Sequence, residues 1–160
     1  MSETSIRSVT VEHVTIRSAR DFGTVRQALE AALPLLDHGY AALVQAGRAQ
    51  EALRLLESGA PLSIFGRRDH GALLRIAGLE RRAIQYDIGN PLTASRMTRH
   101  ALSAALYAPI RVLLREGEEG VAFEYDRPAS TFGQFGSDAV DAVARELDER
   151  LSESLKAAAG

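Results

Sequence analysis

Between Gln85 and Pro128 the chain reads QYDIGNPLTASRMTRH, then AALYAPIRVLL, then FEYDRP. A β-prone run, Ala83 to Ile88, stops at the Gly89-Asn90 turn. Pro91 then stands at the first position of a helix, where its missing N–H costs nothing. Two further runs, Ile110 to Leu114 and Val121 to Tyr125, flank the polar turn Glu116–Gly120 in the pattern of a β-hairpin. Three strands so close in sequence have to share a sheet, and that requirement narrows the folds open to the rest of the chain.

Upstream, Ser8 to Ser18 alternates through Val9, Val11, Val14 and Ile16, with a change of parity near His13 that reads as a bulged strand. A helical region spans 21–57. Asp21 can cap its first helix, in which Val25, Ala28, Leu29, Ala32 and Leu33 recur at helical spacing until Pro34 ends it. Residues 41–57 read as one further amphipathic helix through Leu43, Val44, Leu53 and Leu56, closed by Ser58-Gly59. Pro61 to Phe65 reads as a short strand. Asp69 reads as the cap of a short helix stopped by Gly78. The last element, 137–157, is capped by Ser137 and carries a continuous apolar stripe from Val140 to Leu155.

The expected class is therefore α+β: a single domain, 1–160, with a mostly antiparallel sheet covered on one face by helices. A length of 160 residues suits one domain, and 46% hydrophobic with 25% charged residues is an ordinary globular composition. No cysteine is present, which removes disulfides and thiolate chemistry. No apolar run reaches the ~20 residues of a membrane span, and the N-terminus lacks a signal-peptide pattern. A cytoplasmic protein with no membrane partner is the resulting expectation.

Charge is uneven. Residues 66–115 hold nine arginines against three acids, whereas residues 116–160 hold four basic groups against eleven acids. These segments can neutralise each other in the fold. Alternatively the central arginines line a surface that receives an anion. With a pI near 6.1 and no basic run interleaved with aromatics, a nucleic-acid partner is not expected.

The candidate site residues follow from local chemistry. The helix start at Asn90 can offer backbone N–H groups to an anion, or Asn90 can satisfy them itself. Asp69 and His70 can form a general acid/base pair, or a helix cap followed by a first-turn histidine. Arg96 shares a helix face with Arg99, and Arg111 begins a strand. Both can bind an anion or pair with nearby acids. Tyr125 can present its hydroxyl to a ligand or cover the core edge. No HxxxH or HExxH spacing exists, so no metal site is expected, and no cofactor motif is present. A strained G-x-S-x-G elbow is also missing.

Asp69-His70, Gly78-Leu79, Ile88-Gly89-Asn90-Pro91, Leu106 to Leu113 and Tyr125-Asp126-Arg127-Pro128 occur in an order that resembles the bacterial and archaeal family called domain of unknown function 302. The likeness is firmest over 65–128. It implies a β-α-β(4)-α arrangement similar to the TATA-box-binding-protein class, and a homodimer. It implies no reaction. The functional expectation is a non-catalytic binding or sensing module for a small anionic or polar metabolite, held by Asn90, Arg96, Arg111, Tyr125 and His70. The alternatives are a small-metabolite enzyme using Asp69 and His70, or a structural interaction domain.

Overall fold

Asp21 opens the first helix, α1 (Phe22–Ala32), by accepting a hydrogen bond from the Thr24 N–H at 3.1 Å. Its apolar face buries Phe22, Val25 and Leu29, and Pro34 ends it. The Pro34 carbonyl then accepts from the Ile64 N–H at 2.9 Å, tying the helix exit to a strand 30 residues on. The computed structural model describes residues 1–160.

Five strands form one sheet: β1 (His13–Ser18), β2 (Ser63–Asp69), β3 (Ala83–Gly89), β4 (Ile110–Gly117) and β5 (Gly120–Asp126). Their order is β1-β5-β4-β3-β2, and every neighbouring pair is antiparallel. The class and the element order are those expected. Ile84, Tyr86, Ile88, Val112, Leu114, Phe123 and Tyr125 lie on the face that the helices cover. The final helix, here α7 (Asp138–Ala159), lays Val140, Val143, Ala144, Leu147, Leu151 and Leu155 into the same core. The opposite face is polar, with Arg115 against Glu124 at 2.5 Å and Arg68 against Asp87 at 2.9 Å.

Three boundaries differ from the sequence expectation. Strand β1 starts at His13, because β5 ends opposite it at Asp126 and offers no further partner. The Glu12 N–H and C=O turn instead to the Ser130 hydroxyl and the Arg127 N–H. Residues 41–57 are two helices, α2 (Gly39–Gln45) and α3 (Ala49–Glu57), parted by Gly47 at φ 73°. A left-handed residue cannot continue a right-handed helix, and glycine takes that conformation without strain. Strand β2 runs on to Asp69, since Arg67 and Arg68 pair with Tyr86 and Gln85 along its inner edge. Three short helices complete the chain, α4 (His70–Leu74), α5 (Pro91–Thr98) and α6 (Pro128–Phe132).

A polar clamp pins α1 to the sheet. Glu30 accepts from Arg26 Nε at 3.0 Å, from Arg67 Nη1 at 2.8 Å and from the Tyr86 hydroxyl at 2.9 Å. Burial alone would push the Glu30 carboxyl up, but these three donors outweigh it and hold the group below 4.5. Burial, followed by the Glu30 bond, pushes the Tyr86 phenol well above 10.0. A carboxyl depressed in the fold stabilises it above the unfolded value and loses that contribution as pH falls through the folded one. Glu30→Gln is therefore expected to flatten the loss of stability below about pH 4.5. Urea midpoints measured across that range in both proteins check this, and parallel acid limbs would remove the assignment.

Candidate functional site

Residues separated widely in sequence line a half-open cavity of about 310 Å³ beside the start of α5. Gly89, Asn90 and Pro91 form its rim, and Thr93, Ala94, Ser95, Met97 and Thr98 supply the helical wall. Ile88, Ile110 and Leu147 line it from the core side. Ala108 and Pro109, joined by a cis peptide bond, close another side. Tyr40 of α2 and Phe65 of β2 complete it. Phe65 reaches the cavity because the β2–β3 register shifts between Ile64 and Gly66, which takes Phe65 out of the ladder. Gly89 keeps the space open: a Cβ there would sit 3.4 Å from Pro109 Cβ and 3.7 Å from Phe65 Cε1.

The chemistry of this wall is specific. None of its 15 residues carries a formal charge, and Tyr40 is the one ionisable side chain among them. Polar groups are hydroxyls and the Asn90 amide. The Ser95 hydroxyl is already used, donating to the Leu92 carbonyl at 2.8 Å. The Thr93 and Thr98 hydroxyls have no protein partner within hydrogen-bond range and are free to meet a guest.

The start of α5 does not offer its N–H groups to an anion. Asn90 Oδ1 accepts from Leu92 N at 2.9 Å and Thr93 N at 3.1 Å, and the Asn90 carbonyl accepts from Ala94 N at 3.0 Å. Pro91 has no N–H. Asn90 Nδ2 donates to the Ala60 carbonyl at 3.2 Å, so the cap also ties α5 to the chain entering β2. Of the orphan donors at this helix start, that of Pro91 is absent and those of Leu92 and Thr93 are satisfied.

The other sequence candidates do not converge on Asn90, which corrects the single pocket expected. Ser63 faces Gly89 at one end of β2 and Asp69 faces Ile84 at the other, so Asp69 and His70 stand roughly 20 Å from Asn90 at 3.3 Å per residue. Asp69 Oδ1 caps α4 through the Ala72 N–H at 2.9 Å. His70 is exposed and lines none of the five principal cavities. Arg96 makes a bidentate pair with Glu146 of α7, at 2.8 and 3.1 Å. Tyr125 sits opposite Val112, so Arg111, the residue before Val112, points to the other face of the sheet. Tyr125 lies instead over α7, in an open cleft with Arg127, Asp148, Ser152 and Lys156, where burial raises its phenol. Arg111 borders a separate hollow of about 130 Å³ with Tyr107 and Asp126, and makes no ion pair.

The sequence reading missed Tyr40, Phe65, Met97, Pro109 and Leu147. Each reads locally as a core or turn residue, and only the bulge at Phe65 and the break before Tyr40 aim them at one space.

Comparison with known proteins adds the following. The family described as domain of unknown function DUF302 matches residues 44–158. A crystal structure of an uncharacterized conserved DUF302 protein from Bacillus stearothermophilus resembles the chain with a TM-score of 0.67 at 14% identity. The likeness covers 91% of this chain and 97% of that one, and at this identity it shows the fold. No curated protein matches the chain.

Proposed function

Since this chain belongs to the DUF302 family, whose description names no activity, we propose from its own geometry that it is a non-catalytic module binding a small, uncharged, largely apolar molecule. The ligand sits in the cavity beside Asn90, with its one hydrogen-bonding group against Thr93 or Thr98. The observation that carries this reading is a concave site of about 310 Å³ without a single charged wall residue. That volume lies at the lower end for small-molecule sites, which are mostly apolar with a few placed polar groups. An anion would find no charged partner in this wall, and each part of its charge drawn away from water would be left uncompensated. The anionic ligand expected from the arginine-rich segment is therefore replaced by a neutral one.

Acid/base catalysis by Asp69 and His70 is not part of this reading, because a general base has to reach its proton within hydrogen-bond range. Homodimerisation is. Leu102 and Leu106 stand 79% and 78% exposed on the short helical turn 102–107, an aliphatic pair that a second copy can cover. Sedimentation yielding only a 17.3 kDa species would remove that part.

Thermal-shift measurement with indole and with indole-3-carboxylate tests the ligand reading. Saturation at ten times the dissociation constant contributes about 1.4 kcal/mol, which raises the midpoint by roughly 3–6 °C for a chain of this size. The neutral probe is expected to give that shift and the carboxylate none. Ala94→Phe, which fills the cavity from its helical wall, is expected to abolish it. Equal shifts with both probes, or an unchanged shift in the filled variant, would contradict the proposal.

A further inference from the structure

At the end of the sheet away from the cavity, the chain from His70 to Arg82 stands out from the body. Within it only Gly71 is buried and Leu74 half-buried. Its attachment runs through backbone. The α position of Gly71 lies against the Arg81 carbonyl and, for an added Cβ, 3.0 Å from the Ala83 nitrogen. Asp69 caps the helix, and Gly78 at φ 72° turns the chain back toward β3. With the anchor made this way, the aliphatic side chains are left outside: Leu73 is 59%, Ile76 88% and Leu79 50% exposed.

Around that tip arginines outnumber the acids of the segment, and two of them are not held by a close carboxylate. Residues 67–82 carry five arginines against Asp69 and Glu80. Arg67, Arg68 and Arg82 are held at the base by Glu30, Asp87 and Glu116, each still about half exposed. Arg81 makes no ion pair, and Arg75 has only Glu80 at 3.9 Å.

We propose that residues 70–82 are a docking element for an anionic lipid surface. Leu73, Ile76 and Leu79 enter the headgroup–acyl boundary, roughly 5–10 Å deep for interfacial segments of this kind. Arg75 and Arg81 meet the lipid phosphates and carboxylates behind them. A protruding aliphatic tip above a cationic base matches this layered arrangement of apolar depth and anionic surface. A nucleic acid would favour cations at the point of contact and aromatic rings for stacking, and residues 66–82 contain no Phe, Tyr or Trp. A protein partner would take the aliphatic tip into a groove of its own and would have no need of the two unheld arginines behind it. The expectation against a membrane partner rested on the absence of a spanning segment, which does not bear on a surface contact.

Co-sedimentation of the whole protein with vesicles tests this. One set is phosphatidylcholine alone, and the other contains about a third phosphatidylserine, both at low salt. Binding is expected with the anionic set only, and it is expected to fall as salt is raised. Ile76→Asp is expected to weaken it by roughly tenfold or more. Arg75→Gln with Arg81→Gln should weaken it by roughly 25-fold, about fivefold for each arginine near the surface. These side chains are exposed, so unfolding midpoints should match the parent, and a variant that unfolds is replaced by Leu79→Ser. No sedimentation with anionic vesicles overturns the proposal, as does binding that survives Ile76→Asp in a folded protein. It is equally overturned if Ile76→Asp dissolves a self-assembled species, or the arginine pair abolishes duplex DNA binding, while vesicles are ignored by the parent.

Discussion

Phe123→Ala is expected to lower the free energy of unfolding by about 3–5 kcal/mol, the usual cost of removing a fully buried phenylalanine ring. Phe123 lies on β5, opposite Ile16 on one side and Leu114 on the other, and its side chain is wholly enclosed. It occupies the covered face, within the core cluster that contains Leu147, Leu151 and Leu155 of α7. A strand in a regular ladder cannot move to close the hole without breaking its hydrogen bonds, so the void persists. Whole domains are stable by only about 5–15 kcal/mol, and this one change takes a large share of that. Urea denaturation followed by circular dichroism measures it. The midpoint should fall with the slope unchanged, and a loss under about 1 kcal/mol would show that the helical layer does not seal this position.

Gly71→Ala is expected to cost about 2–3 kcal/mol, at the upper part of the range for overpacking. A methyl group here meets backbone on two sides, the Arg81 carbonyl and the Ala83 nitrogen. Backbone yields less than the end of a side chain, so α4 must lift away. Gly133 provides the comparison: it has a helical φ of −58°, and a methyl group added there would meet nothing within 4 Å. Gly133→Ala is expected to be neutral or to stabilise by about 0.4–1 kcal/mol through the unfolded chain. Equal behaviour of the two variants in urea titrations would contradict the close approach at Gly71.

Most of this fold is legible in the chain because its signals are local. Asp21, Asp69, Asn90 and Ser137 each cap the helix that follows, as their side-chain oxygens suit them to do. The stripe from Val140 to Leu155 and the alternation in β4 and β5 identify their buried faces without reference to the rest. What escaped depended on partners. Arg67 and Arg68 resemble loop residues until β3 supplies their hydrogen bonds, and residues 8–12 resemble a strand until β5 proves too short to pair with them. The cavity was the least legible part. The sequence marks Asn90 correctly as a helix start, yet Asn90 satisfies its own helix. The walls come from positions 40, 65, 88–91, 93–95, 97–98, 108–110 and 147, which no single motif spans. Charge misled for the same reason: Arg96 and Arg68 are spent on Glu146 and Asp87, and Arg111 points away from the cavity.

The two methionines allow the central claim to be tested in one spectrum. Met97 is buried at the cavity wall, and Met1 is exposed at the N-terminus. With both methyl groups labelled with ¹³C, titration with indole is expected to shift the Met97 resonance saturably and leave Met1 unmoved. Indole-3-carboxylate is expected to move neither. If Met97 stays fixed while indole binds, or if the charged and neutral probes move it alike, the account of an uncharged-ligand site beside Asn90 is wrong.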